Sequence, residues 1–90
     1  MAAFRLTMAR LLKLPEDLVL NLPRLTMTGD LELLIENHQG IVAFTGQRVV
    51  VRTASGPIAV TGLGLMVGAI DRDAVVLVGT IRGVAFEEAR

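Results

Sequence analysis

From Arg24 onward the chain sets apolar residues two apart in short runs, and turn-forming residues separate those runs. Side chains on a strand point alternately to opposite faces, so this period constrains the fold more tightly than any other feature of the sequence. The candidate strands are Leu25–Thr28, Leu31–Glu36, Ile41–Phe44, Arg48–Thr53, Pro57–Thr61, Leu65–Ile70, Ala74–Val78 and Ile81–Phe86. Leu31, Leu33 and Ile35 share one face, with Glu32 and Glu36 on the other and Leu34 as the exception. Val49 and Val51 oppose Arg48 and Arg52, and Leu65, Val67 and Ala69 make a third row. Such rows predict a sheet with one face on a core. Val75–Val78 is apolar on both faces, which predicts a central strand or one covered by a helix.

The separators include Thr28-Gly29-Asp30, Asn37–Gly40, Gly46-Gln47, Ala54–Gly56, Gly62–Gly64, Asp71–Asp73 and Gly79-Thr80. Connections this short favour antiparallel neighbours, because parallel pairs need a long crossover. A weak repeat is also present: Gly40–Gly46 resembles Gly56–Gly62, and Val75–Gly79 echoes the end of that unit. The predicted class is therefore all-β, mostly an antiparallel meander folded into a sandwich or roll. A short β-solenoid is the alternative, although irregular units stack poorly.

Residues 1–22 read differently and form a separate N-terminal helical segment, with the β domain at 23–90. Phe4, Met8, Leu11 and Leu12 fall on one helical face, and Arg10 and Lys13 fall opposite. Pro15 breaks that run and is suited to opening a second short helix, which Glu16 and Asp17 favour at its positive end. Leu22-Pro23 closes it. Arg5, Arg10 and Lys13 give this end a local positive charge. Packing on the sheet is the commonest fate of such an amphipathic helix; docking on a partner or on an anionic membrane surface are the others.

Ninety residues make one domain, and the apolar content of 52% argues against disorder. Nine basic and nine acidic residues give no net pull towards nucleic acid and little repulsion against self-association. Tyr and Trp are absent, which removes the usual stacking platforms for single strands. No cysteine is present, so neither a disulfide framework nor a thiolate metal site is available, and a reducing cytoplasm fits. The basic residues of the N-terminal segment interrupt the apolar run that a secretory signal needs. The uncharged stretch Ala54–Ile70 is broken by Gly56, Pro57, Gly62, Gly64 and Gly68, and reads as strands and a turn rather than a membrane span.

The search for chemistry yields little. His38 is the only histidine, and Glu36 nearby would orient it as a general base, but no nucleophile motif accompanies it. An ordinary hairpin loop accounts for the cluster better, with Asn37 bonding its own backbone and Gly40 left-handed. Asp71 and Asp73 lack a third carboxylate at calcium-loop spacing, and Gly62–Gly68 fits no phosphate-loop pattern. Glu87 and Glu88 read as a solvated tail. No catalytic, cofactor-binding or metal-ligating residue is assigned, and no cofactor is expected.

Three segments then carry a resemblance: Leu14-Pro15-Glu16-Asp17, Leu22-Pro23-Arg24-Leu25-Thr26-Met27-Thr28-Gly29 and Ile35-Glu36-Asn37-His38-Gln39-Gly40-Ile41, with a weaker piece at Val76–Ile81. Together they resemble the YabP/YqfC family of small sporulation proteins over about Leu14 to Phe86. The glycine- and alanine-rich stretch Gly62–Ala69 is smaller in volume than the family pattern leads one to expect. The resemblance implies a non-enzymatic role in spore development, on the mother-cell side and in the cytoplasm near a membrane. It implies another sporulation protein as partner, one associated with the membrane, and no nucleic acid or small-molecule substrate. A self-assembling structural protein of the spore and a membrane-surface adaptor are the alternatives. Glu36, Asn37, His38 and Gly40 match the distinctive motif, and with Arg5, Arg10 and Lys13 they are the candidate interaction residues.

Overall fold

A computed structural model describes residues 21–88. The expected N-terminal helical segment, with Arg5, Arg10 and Lys13, lies outside the described residues but for its last two positions. The rest is all-β: β1 (Arg24–Thr28), β2 (Glu32–Glu36), β3 (His38–Phe44), β4 (Arg48–Thr53), β5 (Ile58–Ile70) and β6 (Ala74–Phe86). They form one six-stranded sheet in the order β1-β2-β6-β5-β4-β3, and every neighbouring pair is antiparallel. β3 to β6 are a meander, and the β1–β2 hairpin joins it at β6. Antiparallel pairing throughout excludes the solenoid alternative, whose rungs stack in parallel.

The connection between β2 and β3 shows how the sheet closes over its core. Only Asn37 separates the two strands, yet they lie four strand spacings apart in the sheet order. In a flat sheet that separation would be about 19 Å. The chain from Glu36 to His38 reaches at most about 7.6 Å. The sheet is therefore rolled upon itself. One layer holds β1, β2, the first half of β6 and the second half of β5. The other holds the second half of β6, the first half of β5, β4 and β3.

The inward faces meet in one cluster of Leu33, Ile35, Val49, Val51, Ile58, Val60, Leu65, Val75, Leu77 and Ile81. The expected alternation accounts for most of it, and each of these side chains contributes about 1.5–3 kcal/mol by leaving water. Val75 and Leu77 are fully buried in a strand paired on both sides, as their uninterrupted apolar run predicted. Thr53 is buried without loss because its hydroxyl donates to the Gly56 carbonyl at 2.7 Å and accepts the Ser55 N–H at 3.1 Å.

Eight candidate strands become six, because two separators are bends inside strands rather than turns. β5 runs through Gly62–Gly64, and β6 runs through Gly79-Thr80. Register shifts punctuate this long hairpin between Thr61 and Gly62, between Leu63 and Met66, and between Val67 and Ala69. Extra residues at such bulges bend and twist a strand pair, and here they turn one layer over the other. The last shift also reverses the expected third row: Leu65 is buried and Val67 packs on the core, but Ala69 is exposed. Leu31 departs from its row too, since it lies in the β1–β2 turn and is 63% exposed.

Candidate functional site

The Glu36–Gly40 cluster is not a hairpin loop. β2 and β3 do not pair, and the segment is the single point at which the chain passes from one layer to the other. Asn37 takes φ +63°, a left-handed conformation that asparagine tolerates better than most residues. Gly40 also has positive φ, as expected, and belongs to β3. The Asn37 side chain does not bond its own backbone: its Nδ2 donates to the Leu22 carbonyl at 2.9 Å. Its backbone N–H donates to the Asp73 carbonyl at 2.6 Å.

His38 adds a second tie. Its Nε2 lies 2.8 Å from the Asp71 carbonyl, and the Gly40 N–H donates to its Nδ1 at 3.0 Å. An acceptor at Nδ1 and a carbonyl at Nε2 together assign the neutral tautomer with its proton on Nε2. Both ring nitrogens are thus engaged with backbone. Glu36 does not orient the ring; its carboxylate faces Arg24 at 3.9 Å. That ion pair is exposed and contributes little to stability.

The third component is the β5–β6 turn. Asp71 Oδ1 accepts the N–H groups of Asp73 and Ala74 at 2.9 and 2.8 Å, and the Asp71 N–H donates to the Ala74 carbonyl at 2.8 Å. These two N–H groups hold the Asp71 carboxyl below its ordinary range. The turn expected to be merely solvated therefore serves as the platform on which Asn37 and His38 fasten the crossover.

The structure brings Glu36, Asn37, His38 and Gly40 together with Leu22, Arg24, Asp71 and Asp73, which the sequence did not associate with them. No spacing rule points to those partners, because the contacts span 12 to 36 residues. Two of the stretches that carry the resemblance, Leu22–Gly29 and Ile35–Ile41, are in direct contact at Leu22–Asn37 and Arg24–Glu36. The corner can hold two layers in register. Among the described residues there is no group of three or more His, Asp or Glu placed to hold a metal ion.

The YabP family model matches residues 21–90. A protein of Bacillus subtilis, "Uncharacterized protein YqfC", is 34% identical over 82 residues, which cover 91% of this chain and 88% of that one. No solved structure matches the chain.

Proposed function

This chain belongs to the YabP family, and from that premise we propose that it acts without catalysis in spore development, by binding another protein through an open strand edge. One observation carries the reading. β1 and β3 end the sheet, and both edge strands carry large exposed apolar side chains: Met27 on β1, Val42 and Phe44 on β3. An edge offers unpaired N–H and C=O groups, and apolar side chains beside it supply affinity. Val42 is 50% exposed and falls at a register shift on β3, opposite no residue of β4, so its side chain can be changed without disturbing a cross-strand pair.

The family resemblance supplies the setting: the mother-cell cytoplasm, near a membrane, with a membrane-associated sporulation protein as partner. Among the described residues no helix is long and apolar enough to cross a membrane. Self-assembly is the second reading, favoured by the same edges together with balanced charge.

The test uses an endospore-forming host that carries this gene. Deletion is expected to lower the count of heat-resistant spores, and a Val42→Lys chain that folds normally is expected not to restore it. Wild-type counts after deletion, or full restoration by Val42→Lys, would overturn the proposal. Oligomers that grow with concentration, and that Val42→Lys abolishes, would select self-assembly over a separate partner.

A further inference from the structure

The roll is turned over at two corners, yet along one side it stays open. β3 is an edge strand, and Met66–Ile70 of β5 pairs with β6 on one side and with no strand on the other. These two free edges run alongside one another. Just beyond one end of β3, the Leu65 N–H donates to the Gly46 carbonyl at 2.8 Å. At its other end, His38 Nε2 lies 2.8 Å from the Asp71 carbonyl. The two edges are therefore antiparallel, linked at both ends, with no ladder between them. Charged side chains commonly guard a free edge against pairing. Here residues 39–47 and 62–70 carry none.

Register and hydrogen-bond direction agree across this seam. The Gly46–Leu65 bond sets a register in which Phe44 faces Val67 and Ile41 faces Ile70. All four side chains are on the inward face. Phe44 and Ile41 are partners of Val49 and Val51, and Val67 and Ile70 are partners of Leu77 and Val75. The inward rows of one layer thus run in phase into those of the other. The Thr45 N–H donates to Arg48, so alternation turns the Phe44 N–H and carbonyl towards the seam. The Leu65 N–H points to Gly46, so alternation turns those of Val67 towards it as well. Phe44 and Ile70 are nevertheless 49% and 53% exposed, so the seam is open to water. Val42 and Gly68 are each an extra residue at a register shift, and such residues bow a strand.

We propose that this seam closes in a second conformation, in which β3 and the second half of β5 pair through Phe44 and Val67 and cover Phe44 and Ile70. Closure takes up the same outward N–H and C=O groups of β3 that another chain would need. The edge then alternates between the chain's own β5 and a partner, and a partner that binds it draws the population to the open form. This regulation rests on the proposed use of the β3 edge, whereas closure itself rests on the geometry alone.

The absence of cysteine makes the test direct. In the closed register Val42 faces Ala69, and both positions are exposed. In the purified full chain, Val42→Cys with Ala69→Cys should form a disulfide within one molecule on mild oxidation. The yield should be several-fold above that of Val42→Cys with Ala85→Cys, whose strands lie three spacings apart, about 14 Å and beyond disulfide reach. The unaltered chain gives a second reading: its Phe44 amide proton should exchange several-fold more slowly than in Val67→Pro. Proline removes the N–H that closure needs, at an edge position where a strand tolerates it. Equal yields, disulfides only between molecules, or equal exchange rates would overturn closure. In the deletion host, a Val67→Pro chain that folds normally should restore heat-resistant spores, because its edge cannot be withdrawn. Failure to restore them, with closure demonstrated, would overturn the regulation and make the closed form the working one. Full restoration by Val42→Lys would instead remove the edge reading and leave closure standing.

Discussion

The sheet is turned over at two places, and the means are opposite. At the bend in the long hairpin, Gly62 and Gly79 leave out side chains so that two strands can continue through a sharp change of direction. A Cβ on Gly62 would collide with the Thr80 carbonyl, and one on Gly79 would lie 2.7 Å from the Gly64 carbonyl. At the crossover, side chains do the work: Asn37 and His38 reach backbone groups of Leu22 and Asp71. The bend is therefore defined by backbone contact with no room to adjust, whereas the corner is defined by exposed hydrogen bonds that water can partly replace. Removing what makes each turn should cost unequally, and this is open to measurement.

The bend should give the largest effect. Gly62→Ala forces backbone against backbone, and about 3 kcal/mol or more of stability is expected to be lost. Gly79→Ala should behave similarly, since its φ of +137° adds strain to the collision. Gly46→Ala is the control: a Cβ there meets nothing within 4 Å, and a change within about 0.5 kcal/mol is expected. Urea midpoints read all three. Equal midpoints for Gly62→Ala and Gly46→Ala would show that the bend has the same tolerance as an ordinary loop.

Asn37 comes next and separates two contributions at the corner. Asn37→Gly keeps the left-handed backbone and loses only the bond to Leu22, for about 1 kcal/mol. Asn37→Ala loses the bond and adds the left-handed penalty, for about 2 kcal/mol in all. A glycine variant less stable than the alanine variant would show that φ +63° is not maintained in solution. His38→Ala should cost about 1 kcal/mol, because it leaves the Gly40 N–H and the Asp71 carbonyl to solvent at a partly exposed site.

The same contrast explains what the sequence could and could not disclose. Period-two runs located the strands and most of the core, because burial on one face imposes alternation residue by residue. Val49, Val51, Leu33 and Ile35 were legible for that reason. Gly62–Gly64 and Gly79-Thr80 were misread as turns, because glycine marks both a reversal and a bulge and only the partner strand distinguishes them. The polar cluster at Glu36–Gly40 was conspicuous, but its partners were not, since hydrogen bonds between distant segments leave no local period. The left-handed Gly40 was anticipated. The left-handed Asn37, one residue between two strands that do not pair with each other, required knowledge that the sheet rolls.

The smallest effect separates corner from bend by pH. Gly62 and Gly79 carry no group that titrates, whereas the corner rests on Asp71, whose carboxylate accepts the N–H groups of Asp73 and Ala74. Those bonds favour the charged form, so the folded carboxyl holds its proton less tightly than the unfolded one, whose ordinary value is 3.8. The folded state then binds fewer protons, and stability rises with pH across the interval between the two values. The contribution is fully present above the ordinary carboxylate range and is lost as pH falls through the lowered folded value. Asp71 is fully exposed, so the effect is modest, and other carboxylates titrate alongside it. Comparison with Asp71→Asn isolates it, because the amide oxygen still accepts both N–H groups but does not titrate there. The stability advantage of the unaltered chain over Asp71→Asn should be constant from pH 7 to about 5 and should shrink below about 4. The difference between Gly62→Ala and the unaltered chain should stay flat over the same range. An Asp71 advantage that does not change with acid would mean that the turn holds the crossover by its backbone alone, and corner and bend would then be alike in their indifference to charge.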